Sequence, residues 1–329
     1  NGGTQSITLT NGMKPDFVWV KDRDNNGTSH TLADSVRGVN NTINSNTTNG
    51  QYNNTTYQYN SFNNDGFTVT DDNGGNYGVN GDGIDYISWN WKAGGLPTIN
   101  SDGDIPSIVS ANQAAGFSIV SFTCPSSNQN FNIGHGLGVK PDMVIMKKTN
   151  ATGAWLTWHK DLSVESYYLQ LNSNLGESGL TQDSRIWGDQ SFTSTTISTS
   201  TGYSFDVNDT VVSYCFADIA GYQRVSSYPG SGVAGKRVYV TNDGLATGSG
   251  GFQPSYVLIK CSTASSTDWL IFTSNVVDGS GDPVMLRANT NESQFTGDRV
   301  QFTSDGFTIE DVDGSRNGSG RTYIYLAIA

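Results

Sequence analysis

The strongest constraint on this chain is one motif used three times. Met13-Lys14-Pro15-Asp16-Phe17-Val18-Trp19-Val20-Lys21 returns as Val139-Lys140-Pro141-Asp142-Met143-Val144-Ile145-Met146-Lys147 and again as Phe252-Gln253-Pro254-Ser255-Tyr256-Val257-Leu258-Ile259-Lys260. In each copy a turn-forming proline, which donates no ladder hydrogen bond, leads into an apolar run that ends on lysine. That is the composition of a buried strand entered from a corner. The three prolines set a period of about 110–130 residues, the size of an antiparallel sandwich and too long for a propeller blade or a solenoid coil.

The segments after each corner recur in the same order. Ser29-His30-Thr31-Leu32-Ala33-Asp34, Ala154-Trp155-Leu156-Thr157-Trp158-His159 and Asp268-Trp269-Leu270-Ile271-Phe272-Thr273 sit where a hairpin partner would. A third element, in looser register, is Thr42–Asn46, Leu169–Asn174 and Met285–Asn289. The fourth is a hairpin signal, Asp65-Gly66 and Asp305-Gly306 between alternating apolar residues. Its middle copy, Ser191–Ser198, lacks Asp-Gly and predicts a different turn. Each copy closes on an aromatic strand: Asp85–Trp91, Val212–Ala217 and Thr322–Ala327.

The expected fold is therefore all-β, three tandem diverged antiparallel β-sandwich repeats, jelly-roll-like, at 1–95, 96–225 and 226–329. The boundaries fall in the linker-like stretches Leu96–Pro106 and Ser226–Gly232. Strands opening the second and third repeats are read at Gly116–Phe122 and Lys236–Thr241. The first has only Gln5–Leu9, so its opening strand is expected upstream or from another chain, because an unpaired edge invites pairing. The chain opens on Asn1-Gly2-Gly3-Thr4 with neither Met nor a signal-peptide pattern, so processing, or excision from something longer, is expected.

Composition narrows the function. Charged residues are 15% and Gly numbers 39, so solubility must rest on neutral amides and hydroxyls, as is usual outside cells. The net charge of −12 opposes nucleic-acid binding, and the longest basic runs are the pairs Lys147-Lys148 and Lys236-Arg237. No apolar stretch is long enough to insert in a membrane. Cys124, Cys215 and Cys261 follow no metal spacing; Cys215 reads as core, with a Cys124–Cys215 disulfide as the one pairing considered.

The order of these motifs is specific. A Gly-x-Lys-Pro-Asp-aromatic-Val-Trp-Val-Lys strand is followed by Asp34-Ser35-Val36-Arg37-Gly38, an Asp-Gly-Phe-Thr hairpin and Tyr86-Ile87-Ser88-Trp89-Asn90-Trp91-Lys92-Ala93-Gly94. His135-Gly136-Leu137-Gly138-Val139-Lys140-Pro141-Asp142 marks the middle copy. Together they resemble a repeat family of tailed-bacteriophage virion structural proteins, marine and cyanobacterial phages above all. The third copy departs from it at Gln253 and Ser255. The resemblance implies a place on the particle exterior, as tail fibre, appendage or capsid decoration, and no catalytic residues.

Candidate sites are few. His30, His135 and His159 are scattered over the chain, which opposes a multi-histidine metal centre and favours surface or strand-end roles. Asp71, Asp82, Asp85, Asp311 and Asp313 lie in glycine-rich loops that could offer oxygen ligands to Ca²⁺, although no loop has the EF-hand spacing. Asp16, Asp34, Asp142 and Glu165 give no carboxylate pair for hydrolysis; Asp16 and Asp142 occupy equivalent turn positions, where local capping is expected. Trp91 and Trp158, each near another tryptophan, are candidates for a glycan-facing or assembly-facing surface; the other tryptophans read as core. With no nucleophile elbow, metalloprotease helix or phosphate loop, no enzyme is expected.

The leading expectation is a virion structural protein on the particle exterior, extracellular, three sandwiches packed into a rod or plate. Its partners would be further copies, other virion proteins and host surface glycans. The alternative is a carbohydrate-binding or adhesion module, which would show paired aromatics lining an open groove.

Overall fold

In the computed structural model, which describes all residues except 1–2, 54–57, 71–77, 179–185, 189–190 and 203–204, regular structure is β apart from one 3₁₀ turn, Gln113–Ala115. The first stretch supplies β1 (Thr4–Thr8), β2 (Phe17–Asp22), β3 (Thr31–Asp34), β4 (Asn41–Thr42), β5 (Tyr52–Asn53), β6 (Gln58–Asn63), β7 (Gly66–Thr70) and β8 (Tyr86–Trp91). The second gives β9 (Thr98–Asn100), β10 (Ser107–Asn112), β11 (Phe117–Thr123), β12 (Asn130–Gly134), β13 (Met143–Lys148), β14 (Trp155–His159), β15 (Leu169–Gln170), β16 (Thr196–Ser200) and β17 (Thr210–Phe216). The third gives β18 (Gln223–Pro229), β19 (Lys236–Tyr239), β20 (Tyr256–Cys261), β21 (Leu270–Val277), β22 (Pro283–Arg287), β23 (Val300–Thr303), β24 (Gly306–Ile309) and β25 (Thr322–Ile328).

The corner built by each proline is the same in hydrogen-bond detail. Asp16, Asp142 and Ser255, the residues after the prolines, donate their amides to the carbonyls of Trp91, Phe216 and Ile328. Their own carbonyls accept from Ser35, Lys160 and Ser274. The strand that follows lies between its hairpin partner and the closing strand, in the orders β3-β2-β8, β14-β13-β17 and β21-β20-β25. A second sheet covers each of these inner sheets: β1-β7-β6, β12-β16 and β19-β24-β23.

The inner strands β2, β13 and β20 are buried at every position. One set of alternate side chains packs under the stretch's own outer sheet: Val18 with Phe67 and Val69, Val144 with Ile197, Val257 with Phe307. The other set, Phe17 and Trp19, Met143 and Ile145, Tyr256 and Leu258, enters one apolar core shared by all three stretches. There Phe17 stacks on Tyr214 with ring centroids 4.5 Å apart, and Trp91 meets Tyr256 edge-on at 5.6 Å. Such contacts add about 0.5–1.5 kcal/mol each beyond area burial.

Around this core the stretches are joined head to tail in a closed cycle. The ring nitrogens of Trp155, Trp269 and His30, equivalent by strand register, meet the carbonyls of Asn44, Gln170 and Arg287 at 2.9, 2.9 and 3.0 Å. The acceptors are equivalent as well, each one residue beyond the partner of an inner-sheet strand. A second set runs from the amides of Gly153, Thr267 and Gly27 to the carbonyls of Thr48, Asn174 and Asn291. A third returns from the amides of Gln51, Glu177 and Gln294 to the carbonyls of Thr149, Ser262 and Arg23. Each set links second to first, third to second and first to third, which is a pseudo-threefold ring.

The three sandwiches expected to pack into a rod or plate are instead arranged as a body closed on its own axis. Its accessible surface of 12593 Å² for 35.3 kDa agrees with this. Surface scaling gives about 13,000 Å² for one globule of that mass and about 18,000 Å² for three separate thirds.

Two readings of chain organisation change. Gly116–Phe122 and Lys236–Thr241 are not counterparts: β11 pairs with the closing strand β17, whereas β19 pairs with the hairpin strand β24, as β1 does with β7. The counterpart of β11 is β18, which pairs with β25 and contains most of the supposed linker Ser226–Gly232, so the boundary at 225/226 falls inside a strand. Serine content disguised it: Val225 and Tyr228 are buried, while Ser226 and Ser227 are half-buried. In the Leu96–Pro106 stretch, β9 adds to the edge of the second inner sheet through β10.

The Asp-Gly hairpins form as expected, β6-β7 and β23-β24. A Cβ at Gly66 or Gly306 would stand 1.9 or 2.0 Å from the carbonyl oxygen of Ile7 or Val238, hence glycine. The middle copy has Thr196 there and turns differently, with Thr193 Oγ1 accepting the amides of Thr195 and Thr196.

Candidate functional site

The acidic loop residues do not converge. Among the described residues no group of three or more His, Cys, Asp or Glu is placed to hold a metal ion. Asp71 lies outside the described residues; Asp82 and Asp85 are exposed in the loop before β8. Asp311 and Asp313 flank the guanidinium of Arg316, which is bonded to Asp311 and 3.7 Å from Asp313, so a cation already stands between them. They line a polar cleft of about 280 Å³ that also holds Arg287 and Arg299.

The three histidines are internal, against the surface reading. His30 accepts the indole N–H of Trp19 at Nδ1 and reaches the Arg287 carbonyl with Nε2, a pattern that fits the neutral ring. Burial, with a further push from Lys21, lowers its pKa to about 3. Burial likewise lowers His159 to about 3 and His135 to about 4. Each of these two rings accepts a backbone amide at Nδ1, of Leu137 for His135 and of Asp161 for His159, and meets a backbone carbonyl with Nε2.

All three cysteines are buried and free, and burial raises the Cys124 and Cys215 thiols to about 12. The considered disulfide fails on register. Cys215 lies opposite Ser118, six residues along β11 from Cys124, or about 20 Å at strand rise. Asp142 does not cap locally: it accepts the amide of Asp218 and pairs with Lys160 at 3.1 Å.

Trp158 is 3% exposed, packed on Phe192, with its N–H on the Glu165 carbonyl. It points into the second stretch's own core while Trp155 points into the shared one, so the two offer no common outward surface. Trp91 is 7% exposed. Buried faces of this kind do not present a sugar platform, because stacking needs an open ring.

What sequence reasoning missed is chemistry used for closure. Asp34 is fully enclosed and the Arg37 side chain nearly so, with Nε to Oδ2 at 2.6 Å, and Tyr214 of the second stretch donates to the same Asp34 oxygen at 2.8 Å. Burial and the neighbouring carboxylate push Tyr214 far above the usual phenol range. Lys21, Lys147 and Lys260 end the inner strands with no side-chain exposure, and burial brings each down to about 8. Lys147 donates to the carbonyls of Thr48 and Gly153, and Lys260 to Thr267, at the inter-stretch joints. Their recurrence at the end of every Pro-led strand was the available signal.

An open surface runs along β8. Among the described residues β8 has a strand neighbour on one side, β2, whereas β17 and β25 have two. The backbone pairing of Arg23 with Asp85 sets the phase, turning the N–H and C=O of Ser88 and Asn90 away from β2. On the shared-core side a groove of about 480 Å³ runs past Trp89, Trp91, Tyr256 and Ile328. On the other side a cavity of about 270 Å³ is walled by Val20, Phe67, Val69 and Tyr86. Trp89 Nε1 and Asn90 Oδ1, on residues that border the larger groove, are buried without a hydrogen-bond partner. The Asn90 amide folds back 3.0 Å from Ser88 Oγ.

A family model for a domain of unknown function, DUF7483, matches residues 1–329. The chain belongs to this DUF7483 family. No curated protein and no solved structure matches it. For a DUF7483 chain the geometry above is therefore the main guide: buried ion pairs and indoles joining three stretches, and an edge at β8 whose counterparts in the other two stretches are paired.

Proposed function

We propose that this chain is a structural protein on the exterior of a tailed-bacteriophage particle, a fibre, appendage or capsid-decoration module. It acts by assembling with further copies or other virion proteins and by contact with the host surface. The observation that supports this reading is the use made of its motif residues. Pro15 and Asp16 form the corner, Asp34 and Arg37 lock the first stretch to the second, Gly66 admits β1, and Trp89 and Trp91 fill the shared core. Motifs that serve a reaction bring titratable groups into one cleft. Here they are spent on a rigid body.

The low charge content and net charge of −12 fit display in solution and oppose a role on packaged nucleic acid. The glycan-binding alternative required paired aromatics with open faces on a groove; Trp158 is buried in the second stretch's own core, and Trp91, which borders the groove beside β8 with Trp89, is only 7% exposed. Mass spectrometry of gradient-purified particles, with gold-labelled antibody to this chain, tests the proposal. The chain should band with intact particles and the gold should mark their outside. Its presence only in the soluble lysate would refute the reading.

A further inference from the structure

The place beside β8 is occupied in the other two stretches, and by matching strands. Trp91, Phe216 and Ile328 are equivalent through their pairing with Phe17, Met143 and Tyr256. In that register β11 and β18 both lie antiparallel on the far side of the closing strand. Opposite the counterparts of Tyr86 each carries a buried aromatic ring, Phe122 facing Val211 and Tyr228 facing Tyr323. Tyr228 lies 6.1 Å from Phe307 and 5.2 Å from Tyr323. Their counterparts in the first stretch, Phe67 and Tyr86, wall the cavity of about 270 Å³. Opposite the counterparts of Trp89 stand Ile119 and Val225, both in the shared core, on the side where the larger groove lies.

We propose that the β8 edge is a strand-docking site, filled by an extended segment of polypeptide lying directly ahead of β1. The segment pairs antiparallel with Ser88 and Asn90, puts an aliphatic side chain against Trp89 and places an aromatic ring beside Phe67. This occupant, rather than a second copy, is indicated by connectivity: β11 and β18 each run into the first strand of their own outer sheet through short connections, 124–129 and 230–235. The two openings on opposite faces of β8 match the alternating side chains of one strand and no single small ligand. The orphaned Trp89 N–H and Asn90 Oδ1 mark where its polar groups are missing. This inference stands apart from the virion reading.

The test fuses a copy of Gln223–Ser231 to Asn1 of the full chain, which supplies β18 and a connection of natural length. A control fusion carries V225D and Y228D in the copy only. Hydrogen exchange at the amides of Ser88 and Asn90 should slow at least tenfold in the fusion and not in the control, with the chain monomeric by sedimentation. Unchanged exchange in the fusion would overturn the proposal. So would amides already protected in the unfused chain together with a dimer, since a second copy would then own the edge.

Discussion

Replacing Trp155 with phenylalanine separates a closed ring from three independent sandwiches. The indole is fully buried, and its N–H holds the Asn44 carbonyl of the first stretch at 2.9 Å. Phenylalanine leaves that carbonyl without its donor, which costs about 1–3 kcal/mol. Roughly 40 Å³ of lost side-chain volume at about 24 cal/mol per Å³ adds about 1 kcal/mol. For the whole chain unfolding as one unit, an entropy of about 2.1 cal/mol/K per residue turns a loss of roughly 2–4 kcal/mol into a Tm shift of about 3–6 °C. Were the middle stretch to melt alone, the same loss would move its transition by about 8–15 °C and leave the other two in place. Differential scanning calorimetry reads the difference directly. One peak shifted by a few degrees is expected; separate peaks of which only one moves would refute the shared-core reasoning.

The buried histidines predict acid sensitivity. His30 and His159 are lowered to about 3 against an ordinary value of 6.5, so the unfolded chain binds more protons than the folded one between these values. The histidine contribution should be complete above pH 6.5 and be lost steadily toward pH 3, and a urea midpoint flat from pH 7 to 4 would contradict it. The buried lysines predict a slope of the same sign at alkaline pH. With Lys21, Lys147 and Lys260 near 8 against 10.5, stability should rise from pH 8 toward 10, before tyrosine ionisation such as that of buried Tyr256 favours unfolding. A midpoint that drops between pH 8 and 9.5 would refute it. Gly66→Ala forces its Cβ into the Ile7 carbonyl and should release β1, costing about 2–4 kcal/mol in denaturant titration, while the same change at exposed Gly279, where a Cβ meets nothing, should stay far below that.

Much of the fold was legible because local chemistry dictates it. Proline before an apolar run gave the corner, and Asp-Gly gave the hairpin. The closing strands announced themselves by alternating aromatics. Closure was not legible in the same way, since its bonds go to backbone carbonyls of Asn44, Gln170 and Arg287, which any residue could supply. A sign was nevertheless present. Phe17–Val20, Met143–Met146 and Tyr256–Ile259 are continuous apolar runs, the pattern of strands covered on both faces rather than half-solvated. Trp91 and Trp158 stand as candidates for an outward surface only where a two-sided core is not assumed, and β18 is hidden because half-buried Ser226 and Ser227 separate its buried Val225 and Tyr228.

Solution scattering tests the ring most directly. A compact body of 329 residues has a radius of gyration of about 20 Å. Three sandwiches of about 110 residues strung end to end would give more than about 30 Å. The closed arrangement predicts the first value with a single-peaked pair-distance distribution. An elongated distribution near the second would contradict it.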